Sequence, residues 1–104
     1  MKRRNFIGRL VGRKRNENGW TQDVFADKLQ LAGWHDATRS TVSKIEDGSL
    51  RIDLLQLYYL AVALGINPAD FLAEIDWRKQ VEKMISIPMN PSQPLETYAN
   101  HPKK

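Results

Sequence analysis

No cysteine occurs in this 104-residue chain. That absence excludes a disulfide framework, a thiolate zinc site and a cysteine nucleophile, and it fits a reducing, cytoplasmic setting. Histidine is scarce as well: His35 and His101 stand far apart with no second ligand at metal spacing, so no metal site is expected. Long hydrophobic runs are missing. The strongest, residues 54–64, is broken by Gln56 and is too short to cross a bilayer. The basic opening Met1-Lys2-Arg3-Arg4 is not followed by the apolar stretch of a secretory signal, so neither a leader nor a membrane partner is expected. No segment alternates apolar and polar residues over a useful length, which argues against half-buried strands. The carboxylates spaced by four, Asp23 with Asp27 and Asp70 with Glu74, have no paired nucleophile and base. Neither an enzyme nor a cofactor is therefore expected.

What the chain does have is helical periodicity and unevenly placed charge. Its length suits one domain with a modest core and a tail. Net charge is +4, but residues 1–20 carry seven Lys or Arg against Glu17 alone, residues 21–48 carry three against five acids, and residues 49–104 balance at six each. A basic N-terminal segment suits a polyanion, because Lys and Arg near phosphates release condensed counterions; it also suits a merely solvated helix face.

The spacing predicts five helices. Phe6, Ile7, Leu10, Val11 and Lys14 place the first over residues 4–17, with Gly19 as its stop and Gly8 and Gly12 as weak points. Thr21 caps the second, which carries Phe25, Leu29 and Ala32 inward; Gly33 ends it, and Trp34 is placed to pack back on Leu29. Thr38 caps the third, whose Val42 and Ile45 form an apolar side, and Gly48 ends it. Asp53 with Gln56 makes a capping box for the fourth, with Leu54, Leu57, Tyr58, Ala61 and Leu64 as its buried face and Tyr59 outward. Asn67-Pro68 opens the fifth, anchored by Phe71, Leu72 and Ile75. Trp77, Val81, Met84 and Ile85 form a further stripe that could continue that helix, and four prolines from Pro88 onward predict an extended or disordered tail. The expected organisation is a domain over residues 1–76, a helical extension or dimerisation segment over 77–87, and the tail over 88–104.

The third helix, Thr38-Arg39-Ser40-Thr41-Val42-Ser43-Lys44-Ile45-Glu46, sets donors on one face and apolar groups on another. Together with Thr21-Gln22, Phe25-Ala26, Gly48, Leu60-Ala61 and Ala63-Leu64-Gly65-Ile66, it resembles the Cro/C1-type, or Xre, family of helix-turn-helix proteins over about two thirds of the chain. The resemblance implies an all-α, five-helix lambda-repressor-like DNA-binding domain with a helix-turn-helix and a flexible C-terminal tail. It also implies a cytoplasmic, nucleoid-associated protein of a bacterium or phage. Its function would be that of a sequence-specific transcriptional regulator, a repressor, acting on double-stranded DNA as a homodimer. The approach to the third helix departs from the family: residues 30–37 add about five or six residues to the usual short turn, which offers Trp34 or His35 to the DNA backbone.

The same resemblance implies residue roles. Arg39, Ser40 and Lys44 would contact bases, since arginine and lysine reach guanine O6 and N7 and serine is permissive. Thr21, Gln22, Thr38, Thr41, Ser43 and Arg51 would contact the backbone, although Thr21 and Thr38 serve as caps in any case. Lys2, Arg3 and Arg4 would form an N-terminal arm or simply a solubilising terminus. Arg15 and Glu46 would form a structural ion pair. Tyr59 with Trp77, Val81 and Met84 could make a dimer seam, or the later residues could fold back over the core. A second class of function stays open: a protein-interaction module, such as an antitoxin or accessory subunit, holding a protein partner through the C-terminal segment.

Overall fold

The computed structural model describes residues 4–75. It consists of α1 (Gly8–Glu17), α2 (Gln22–Ala32), α3 (Arg39–Glu46), α4 (Leu54–Ala63) and α5 (Pro68–Ala73), with no strand among the described residues. Lys2, Arg3, the 77–87 extension and the 88–104 tail lie outside the described residues.

Side-chain caps start four of the helices, and each satisfies backbone N–H groups that the first turn leaves unpaired. The Thr21 hydroxyl accepts from the Val24 amide, Thr38 and Thr41 form a reciprocal box, Asp53 and Gln56 form another, and Asn67 accepts from Ala69 ahead of Pro68. A cap of this kind is worth about 1 kcal/mol. The end of α2 follows the sequence pattern closely: Gly33 has φ 127°, its amide donates to Gln30 O, and the Trp34 amide donates to Leu29 O. This is a Schellman closure with Trp34 half-buried against the core.

The first helix starts later than its periodicity predicts. Asn5, buried, accepts from the amides of Ile7 and Gly8 through Oδ1 and donates through Nδ2 to Ile45 O at 3.2 Å and Leu50 O at 2.8 Å. The amides of Arg4 and Asn5 both donate to Gly48 O. Residues 4–7 therefore seat on the turn after α3, and the helix opens at Gly8, with Phe6 turned out and 41% exposed. The two glycines have a positive role. A Cβ on Gly8 would lie 2.6 Å from Glu46 O, and one on Gly12 would lie 3.3 Å from Glu46 Oε1. Their bare backbone lets α1 rest on the C-terminal end of α3.

Val11, Phe25, Leu29, Val42, Ile45, Leu60 and Phe71 are fully buried, which joins all five helices in one core. α2 packs on α3 and α4, α1 on α3, and α5 on α4. Lys14 reaches Glu74 at 2.8 Å and ties α1 to the end of α5.

Two expectations for α4 are corrected. Leu54 and Tyr58, expected inside, are 80% and 51% exposed, whereas Tyr59, expected outside, packs over Gly33, where a Cβ would meet its ring at 2.6 Å. The buried side is Leu60, Ala61, Ala63 and Leu64. The fifth helix is also shorter than the stripe predicted. It closes at Ala73, where the Glu74 amide is shared between Asp70 O and Phe71 O and the Ile75 amide donates to Leu72 O. Ile75 is nonetheless buried beyond the helix end.

Candidate nucleic-acid interface

Helix α3 presents its two jobs on separate sides. Val42 and Ile45 have no exposed surface, while Arg39, Ser40, Ser43 and Lys44 are all exposed. At about 100° per residue these four fall within one arc of less than half the circumference. Within residues 39–46 the arc holds two cations and two hydroxyls; the exposed C-cap Asp47 follows on the same side, its carboxylate accepting from the Ser49 amide. Thr41 lies outside it and is half-buried, its hydroxyl accepting from the Thr38 amide at 3.0 Å. Thr38, in turn, accepts from the Thr41 amide. Both threonines are thus engaged in starting the helix.

Behind the arc, Glu46 joins three elements. Arg15 donates to it from Nε at 2.5 Å and from Nη2 at 2.9 Å, and Gln22 donates from Nε2 at 3.3 Å. The remaining Arg15 nitrogen, Nη1, donates to Trp20 O at 2.7 Å. The structure thus brings Arg15 and Glu46 together as a bidentate pair with side chains only 12% and 14% exposed. The hydrogen bonds to Glu46 raise the Arg15 guanidinium above its ordinary value; burial opposes this, and the Glu46 charge adds to it. A raised cation contributes stability at every pH below its unfolded value, so this arginine stays charged through the whole neutral and mildly alkaline range. Gln22 takes part in holding α2 against α3, with its amide nitrogen turned to Glu46.

The other predicted positions lie on neighbouring segments. Thr21 is exposed at the start of α2 with its hydroxyl accepting from Val24. Arg51 is exposed in the segment after α3. Arg4 is exposed, and its backbone amide is pinned to Gly48 O at the C-terminal end of α3. The connection between α2 and α3 is a packed turn. Trp34 is half-buried, His35 is exposed, and Gln30 Nε2 donates to Ala37 O at 2.6 Å across the turn.

Three features escaped the sequence reading. Asn5 had a local signal, since asparagine ahead of an apolar run is a cap residue. The Gln22 to Glu46 bond and the approach of Arg39 Nη1 to Asp23 Oδ2 at 3.9 Å had none, because both depend on how α2 crosses α3. No group of three potential metal ligands occurs among the described residues. No helix among them is long and apolar enough to cross a membrane. In comparisons with family models, curated proteins and solved structures, nothing matches this chain.

Proposed function

We propose that this protein is a sequence-specific double-stranded-DNA-binding regulator, a repressor, built on a lambda-repressor-like helix-turn-helix in which α2 positions and α3 reads. One observation carries the reading. A capped helix has its apolar side fully sealed and sets four exposed donors, Arg39, Ser40, Ser43 and Lys44, on the opposite side, on a mount held by the Arg15–Glu46–Gln22 network. Such a helix fits a major groove, where Arg39 and Lys44 meet guanine acceptors and Ser40 and Ser43 reach base or phosphate. Thr21, Arg51 and Arg4, all exposed, would supply backbone contacts.

The proposal includes a homodimer. Two-fold operators require paired reading helices about one DNA turn apart. The exposed side of α4, with Leu54, Leu55, Tyr58 and Val62, is apolar, and the helix carries no charge. Identical uncharged faces can meet across a two-fold axis without like-charge repulsion, although the chain as a whole is +4. The same face favours a second reading, a module that holds a protein partner.

Selection from random duplex DNA with the full chain tests the proposal. The expected result is a pseudo-palindromic sequence whose binding exceeds that of scrambled DNA at every salt concentration. No enrichment, together with no duplex binding at low salt, would overturn it in favour of the partner-binding module.

A further inference from the structure

The segment that holds the reading helix is acidic. Residues 21–48 carry Asp23, Asp27, Asp36, Glu46 and Asp47 against Lys28, Arg39 and Lys44. Phosphate attraction alone would favour the opposite balance. The structure shows where each cation goes. Lys28 sits over the Trp20 ring at 4.3 Å from its centroid, Arg39 faces Asp23, and only Lys44 of the three lacks a ring or acidic partner among the described residues. Glu46 is consumed by Arg15, and Asp47 accepts from the Ser49 amide. Asp23 differs from both. It is 70% exposed on the first turn of α2, and it points its carboxylate at the equally exposed Arg39 on the first turn of α3.

Resting on the proposed DNA-binding function, we propose that Asp23 is a specificity-determining residue that aims Arg39 and opposes contact made through phosphate alone. An exposed pair at this distance contributes little to stability. Its effect is on selection. A free arginine at the start of α3 would settle on any nearby phosphate. With Asp23 beside it, a phosphate approaching the same place meets a carboxylate. A correctly placed guanine offers Arg39 two acceptors in exchange; a wrong base or a bare phosphate does not. Asp23 therefore lowers binding to random DNA more than to the preferred sequence.

The test compares the full-length chain with its Asp23→Asn and Asp27→Asn variants on a selected duplex and on a scrambled duplex of equal length, across a salt series. Asp27 lies one turn further along α2, is exposed, and makes no ion pair with Arg39, so its variant measures charge removal alone. Asp23→Asn is expected to tighten scrambled-DNA binding by about three- to tenfold, the scale of one short-range Coulombic contact in water. Selected-duplex binding should tighten less, so the ratio of selected to scrambled binding should fall by up to that factor, and the salt dependence on scrambled DNA should steepen. A ratio unchanged in Asp23→Asn, or lowered equally by Asp27→Asn, overturns the role of Asp23 while leaving DNA reading intact. A wild-type chain that binds neither duplex at low salt overturns both.

Discussion

At the residue scale, side chains on α3 separate into those that build and those that are free to read. Glu46 builds: it accepts from Arg15 and Gln22 and is nearly enclosed. Replacing it with alanine strands a charged guanidinium, and Glu46→Ala is expected to lose about 3 kcal/mol. For a domain of this size that is a drop of roughly 12 °C or more in thermal midpoint, measured by circular dichroism. Because Arg15 is held charged, the difference between wild type and variant should not shrink as pH is raised from neutral to about 10. Lys44 is the counterpart. It is exposed and makes no ion pair among the described residues, so Lys44→Ala should leave the melt unchanged. On a selected duplex it should cost about 1–3 kcal/mol and relax preference at one position. An equal loss on scrambled DNA would place Lys44 on phosphate instead.

At the scale of elements, the seat of α1 on α3 makes an unusual prediction about glycine. In a free helix Gly→Ala stabilises by about 1 kcal/mol. At Gly8 the added methyl would press on the carbonyls that end α3, so Gly8→Ala should destabilise, by about 1–3 kcal/mol in chemical denaturation. Gly19 has φ 74° with open space around it, which makes its cost one of backbone conformation only. Helix starts were legible in the sequence because a cap is local chemistry: Thr21, Thr38, Asp53 with Gln56, and Asn67-Pro68 each act within three residues. The orientation of α4 was not legible. Nine of its ten residues, LLQLYYLAVA, are apolar or aromatic, so the pattern has no phase to distinguish Tyr58 from Tyr59. The ring packed over Gly33 makes that choice, and it is a contact between residues 26 apart in sequence. Asn5 had a local signal in its bonds to the Ile7 and Gly8 amides, but the other half of its role was not legible. Two of its four bonds go to carbonyls 40 and 45 residues away.

For the whole molecule, most of the exposed large apolar side chains, Leu54, Leu55, Tyr58 and Val62, lie on the one helix without charge, while Phe6, Val24 and Leu31 are exposed elsewhere. The exposed Arg4, Arg9 and Arg13 belong to the N-terminal segment and α1, the donor arc belongs to α3, and the uncharged exposed side belongs to α4. If α4 is the seam of the proposed dimer, a carboxylate introduced at its centre faces its own copy. Tyr58→Glu is expected to shift the full chain to a monomer in sedimentation equilibrium while preserving helical content. Binding to a two-fold duplex should fall with it. An unchanged mass would move the seam away from α4.

If α3 reads DNA as proposed, its separation of roles also bears on how readily the protein could acquire a new target. Thr38, Thr41, Val42, Ile45 and Glu46 are committed to cap, core and clamp, which leaves Arg39, Ser40, Ser43 and Lys44 as a cassette that touches little of the frame. Diversifying those four positions alone should yield variants that fold normally and differ in preference. A graft that also carried a foreign α2–α3 connection would not transfer so simply, because Gly33 and Tyr59 were fitted to each other across two helices and would have to travel as a pair.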